Sequence, residues 1–126
     1  MPKAAFFPAA LAAFLAACSN ASAASVDSAN DVHCYALAYG FRIAADSQKA
    51  AAEHRHATAV IEQWYGAKLD EAVRNRGADR VTREAAPVAQ AFDTDFQALK
   101  APYLACTERA ASDRAFNRFA AAHPRR

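Results

Sequence analysis

Between Val32 and Ile43 the chain is apolar at almost every position. Val32, Cys34, Tyr35, Leu37, Ala38, Tyr39, Phe41 and Ile43 leave Arg42 as the only Lys, Arg, Asp or Glu before Asp46. A helix without a polar face is buried on several sides, so residues 32–45 are expected to form the central element, with Asp31 as N-cap. Asp46-Ser47 reads as a break, and Ser47 as the cap of a second helix over 48–75. There Ile61, Trp64, Tyr65, Leu69, Ala72 and Val73 recur at three- and four-residue spacing, an amphipathic stripe that places Trp64 in the core. Gly77 follows as a C-terminal stop. Val88, Phe92, Phe96 and Leu99 make the stripe of a third helix, whose regular part is expected to begin near Ala86 because Pro87 suits only a first turn. The fourth helix is read over 102–122. Its stripe drifts from Tyr103, Cys106 and Ala110 to Phe116 and Phe119, so a bend is expected near Ser112-Asp113.

No run alternates with the period of two that marks a half-buried strand. The expected fold is therefore all-α, a small antiparallel bundle of about four helices, over residues 31–122. A basic tail over 123–126 completes the chain.

The N-terminus has a different pattern. Lys3 is followed by an uncharged stretch from Ala4 to Ala17, rich in Ala, Leu and Phe. It is shorter than the roughly 18–20 residues that span a bilayer, and small residues follow at once, the order of a cleaved signal peptide. Two processing sites compete. Leu15-Ala16-Ala17-Cys18 resembles the bacterial lipobox, which implies a signal over 1–18, a lipid on Cys18 and a flexible tether over 19–30. Ala21-Ser22-Ala23 is the A-x-A-like alternative, with a signal over 1–23 and a soluble periplasmic or secreted product.

Either cut removes Cys18 and leaves two of the three cysteines, Cys34 and Cys106. An even pair in an oxidising compartment reads as a disulfide. Two unpaired buried thiols and a reactive thiol at Cys34 beside His33 are the competing readings of the same residues.

Charge and motifs narrow the function classes. Lys plus Arg is 15 and Asp plus Glu is 13. Without Lys3, 14 basic against 13 acidic side chains leave +1, which offers no electrostatic case for nucleic acid. Glu53-His54-Arg55-His56 is the densest cluster of metal-ligand types. Residues two apart on a helix point about 200° apart, so His54 and His56 do not chelate one ion, and His54 is read as a partly buried packing residue. His33 and His123 are isolated in sequence. No metal is expected. The haem-attachment motif, the nucleophile elbow and the phosphate-binding glycine loop are all missing from the chain, so neither a cofactor nor an enzyme is expected. The aromatic residues either fill the core or line an apolar cavity. Trp64, Tyr65 and Tyr39 are the candidates for such a lining.

Beyond the lipobox, two resemblances bear on the mature domain. Asp31-Val32-His33-Cys34, Trp64-Tyr65-Gly66 and the late Cys106 resemble features of small exported helical proteins of alphaproteobacteria, a group with no assigned activity. The small helical form with one disulfide is also similar to the periplasmic acid-stress chaperones, although the cysteines lie farther apart here. The reading that results is an exported, membrane-tethered periplasmic protein with a non-catalytic structural or protein-interaction role. A small apolar-ligand carrier and a periplasmic stress chaperone are the alternatives. The expected partners are the envelope membrane, through the lipid on Cys18, and a periplasmic protein or small apolar ligand.

Overall fold

The computed structural model describes residues 26–124. The expected signal segment, Cys18 and the Ala21-Ser22-Ala23 site lie outside them. The described chain is all-α, a bundle of five α-helices and one 3₁₀ turn, with no strand among the described residues. The helices are α1 (Asp31–Ser47), α2 (Ala52–Arg76), α3 (Ala78–Thr94), α4 (Lys100–Ala111) and α5 (Arg114–Ala121), with the 3₁₀ turn Phe96–Leu99 between α3 and α4.

Helix α1 is the hub and packs against α2, α3 and α4. Its N-cap is Asn30, one residue earlier than expected. The Asn30 carboxamide oxygen accepts from the backbone N–H groups of Val32 and His33, which frees the Asp31 carboxylate for a partner elsewhere. Cys34, Leu37 and Ala38 are fully buried and form one core with Tyr65, Val88, Leu99 and Cys106. A smaller satellite core joins Val32, Ala72 and Val81.

Two expected helix starts move. Ser47, read as the cap of the second helix, is the last residue of α1, and α2 begins at Ala52 after Ala51, without a side-chain cap. Helix α3 begins at Ala78, nine residues before Pro87, which sits inside it. An interior proline costs about 3 kcal/mol. Burial of Val81 in the satellite core and the Arg76–Glu84 ion pair (3.0 Å) favour the earlier start. The turn between α2 and α3 rests on Gly77, at φ 89°, a left-handed conformation open to glycine. The fourth helix breaks where the bend was expected: Asp113 caps α5, its carboxylate accepting from the Ala115 N–H at 2.8 Å.

Trp64 is half-buried, whereas its neighbour Tyr65 is fully enclosed. The centre of the α2 stripe is Tyr65, and Trp64 flanks it against Phe116 and Phe119. His54, read as a packing residue, is exposed at the start of α2, before that helix enters the core.

Gly40 is the glycine most closely covered by a neighbouring helix. A Cβ there would lie 2.3 Å from Cζ of Phe92, whose ring is held against Phe41 and Phe96. Gly40→Ala gains about 1 kcal/mol of helix propensity but forces the Phe92 ring out of place, at about 1–3 kcal/mol. The net result expected from urea unfolding is destabilisation, reduced in a Phe92→Leu background. A stabilised Gly40→Ala protein would show that the ring moves freely.

Candidate functional site

Two features stand out. The first is a capped disulfide. Cys34, near the start of α1, is bonded to Cys106 in α4 across 72 residues, with Cα atoms 5.7 Å apart. Both cysteines are fully buried. The tether expected over 19–30 is already part of the domain from Val26 onward: Val26 packs on the core and the chain then passes over the bridge. The Ser28 carbonyl oxygen lies 3.1 Å from Cys34 Sγ and 3.9 Å from Cys106 Sγ.

Two side chains hold this cover. His33 is buried, and its Nδ1 accepts from the Asp27 N–H at 2.9 Å while Nε2 lies 2.8 Å from the Glu84 carbonyl. That pattern requires the neutral tautomer with the proton on Nε2. Arg109 reaches in from α4. Its Nε donates to the Ser28 carbonyl (3.1 Å), and its Nη2 meets Asp31 Oδ1 (2.9 Å) and Cys34 Sγ (3.2 Å). Its guanidinium also lies over the Tyr65 ring. Sequence reasoning passed over Arg109 and set His33 aside as isolated. For Arg109 a signal existed: it follows Cys106 by three residues, which puts both on one helix face. For His33 there was none, because Glu84 is 51 residues away.

The second feature is a pair of apolar clefts. One, of about 540 Å³, runs between α1 and α3. Ala36, Gly40, Ala85 and Ala89 are its small residues, with Tyr39 and Phe92 beside them. Tyr39 and Ile43 there are 45% and 41% exposed. The other, of about 630 Å³, lies between α2, α4 and α5, with Ile61, Tyr103 and Phe116 in its apolar lining and His54, His56 and Glu108 among its polar residues. Of the three expected lining residues, only Tyr39 borders either cleft. Trp64 packs edge-on against Phe116 and tilted against Phe119, and Tyr65 lies beneath the disulfide, its hydroxyl donating to the Cys106 carbonyl at 2.6 Å. The three do not converge.

No group of three or more His, Cys, Asp and Glu side chains suited to a metal occurs among the described residues, and no helix among them is long and apolar enough to cross a membrane. His54 and His56 both border the larger cleft.

Burial pushes the Tyr103 phenol up to about 12. Desolvation also raises Tyr65 and, with help from the Glu62 carboxylate, Tyr35. A phenol that ionises near 12 when folded and near 10 when unfolded contributes stability that is fully present below about pH 10 and lost as pH rises through about 12. Denaturant midpoints are therefore expected to fall above about pH 10, and Tyr103→Phe should flatten that fall. An unchanged slope in the variant would remove Tyr103 from the account.

Comparison with protein-family models, curated proteins and solved structures finds no match to this chain.

Proposed function

We propose that this is an exported, envelope-tethered helical module that binds an apolar face of a partner protein in the cleft between α1 and α3. The observation that carries the reading is the cleft itself. Ala36, Tyr39, Gly40 and Ile43 occupy one face of α1 at i, i+3, i+4 and i+7, opposite Ala85, Ala89 and Phe92 of α3. From Val81 to Phe92 the α3 side runs for about 16 Å, three helical turns. Small residues between aromatic walls suit an amphipathic helix laid in a groove. The disulfide and the Arg109 contacts hold the scaffold rigid, which lowers the entropic cost of binding.

A photo-reactive side chain at Ile43 in the full chain, exported by its own leader, is expected to give a discrete protein adduct that Tyr39→Glu abolishes. Leu104, 57% exposed and outside both clefts, is the control. Equal adducts at both positions, or none at Ile43, would reject the groove. The tether is tested separately: Cys18→Ala should release the protein from membranes or block its maturation. Unchanged fractionation with a mature N-terminus at Ala24 would instead assign the soluble form.

The larger cleft favours a second reading, a carrier of small apolar molecules. Its volume of about 630 Å³ is that of common ligand pockets. Trp64 is in ring contact with Phe116, which lines it, so a saturable change of tryptophan emission on titration with a medium-chain fatty acid would support this role. A flat titration would reject it.

A further inference from the structure

We propose that the Cys34–Cys106 bridge is a thiol–disulfide exchange site for a dithiol partner, in which Cys34 is the leaving thiolate, Arg109 the cation that receives it, and residues 26–30 the cover that opens when it leaves. The two sulfurs are not equivalent. Arg109 Nη2 is 3.2 Å from Cys34 Sγ, and Asp31, 2.9 Å from the same nitrogen, holds the guanidinium in place. A disulfide sulfur is a weak acceptor. The same N–H facing a thiolate makes a charge-assisted bond and lowers the thiol pKa. Lower-pKa thiols leave faster. Attack is thereby directed to Cys106.

The exchange balances as follows. One thiolate of the dithiol attacks Cys106 Sγ, the Cys34–Cys106 bond breaks, and its electron pair stays on Cys34 beside Arg109. The second thiolate of the dithiol then attacks the partner's sulfur in the mixed disulfide. Cys106 leaves as a thiolate and takes a proton from solvent, and the partner departs as a disulfide. Two electrons have passed to the protein.

The cover is coupled to this chemistry. Both sulfurs are fully buried, so attack requires residues 26–30 to lift. Once Cys34 is negative, the Ser28 carbonyl oxygen, 3.1 Å away, is repelled. Arg109 Nε, which donates to that carbonyl in the closed form, then turns to the thiolate. The reverse exchange, in which the Cys34 and Cys106 thiols reduce a partner disulfide to its dithiol and re-form their own bond, restores the closed cover.

The test uses the full-length oxidised protein, pulsed with reduced glutathione in the presence of iodoacetamide and mapped by tryptic peptides. Glutathione on Cys106 with alkylated Cys34 is expected to exceed the reverse adduct by roughly a few-fold, because the thiol that faces the cation leaves faster. Arg109→Gln should bring the two adducts to parity, and Arg109→Lys should keep the excess. The ratio does not depend on how often the cover opens, and Arg109→Lys, which keeps the charge but not the guanidinium's shape beside Cys34, separates the charge from mere access to the sulfur: an excess lost in both variants would overturn the assignment. Parity in the wild-type protein, or an unchanged excess in Arg109→Gln, would overturn the assignment. If Arg109→Gln does not fold, Arg109→Lys still decides it, since parity there would overturn the role of the charge. Amide exchange at residues 28–30 should quicken on reduction, and unchanged protection would overturn the cover.

Discussion

Replacing Tyr65 with alanine is expected to destabilise the fold by about 3–5 kcal/mol, the cost of removing a large buried aromatic side chain and leaving a cavity. Against a total stability of about 5–15 kcal/mol, that is enough to unfold much of the population under mild denaturant. Tyr65 is fully buried, its hydroxyl donates to the Cys106 carbonyl, and Arg109 lies over its ring. It thus supports α4 directly under the disulfide. Tyr65→Phe, which loses only the hydrogen bond, should cost about 1 kcal/mol. Trp64→Ala should cost less than Tyr65→Ala, about 1–2 kcal/mol, because the indole is only half-buried. Urea unfolding of the three variants checks the order. A larger loss for Trp64→Ala than for Tyr65→Ala would place the centre of the α2 stripe at the indole after all.

Removal of the disulfide is the other large effect. In chain-entropy terms, a bridge across 72 residues restricts the unfolded chain by about 4 kcal/mol, and about 2–4 kcal/mol is typical in practice. A Cys34→Ala, Cys106→Ala double variant is expected to lose that amount, together with amide protection over residues 28–34, because the bridge lies beneath the cover and beside Arg109. Non-reducing peptide mapping of the wild-type chain should recover Cys34 joined to Cys106. Full stability in the double variant would mean that helix packing alone holds the two chain ends together.

The helical class, the approximate element positions and the cysteine pairing were legible in one dimension. Each rests on a local or compositional rule: apolar spacing of three and four, glycine and proline punctuation, and an even cysteine count once the expected signal segment is set aside. The break at Ser112-Asp113 was legible for the same reason, since a drifting stripe cannot stay on one straight helix face.

Other features depended on contacts between distant residues. The early start of α3 could not be read from local preference, because Pro87 argues against it and the opposing term is burial of Val81 beside Val32 and Ala72. Which member of the Trp64-Tyr65 pair is enclosed depends on where α4 and α5 lie against α2. Neighbouring positions differ by only about 100° on a helix, so the stripe alone does not choose. The placement of Trp64, Tyr65 and Tyr39 in three separate surroundings has the same origin.

Arg109 is the clearest case. In the sequence it is one of many arginines. Only the folded chain brings Ser28, Asp31 and Cys34, each more than 70 residues away, within reach of one guanidinium. Sequence spacing by itself determined the helical class and the rough place of each helix, and the cysteine count the pairing. Tertiary packing decided what surrounds the disulfide and where the clefts open, because those properties belong to surfaces that exist only once the helices meet.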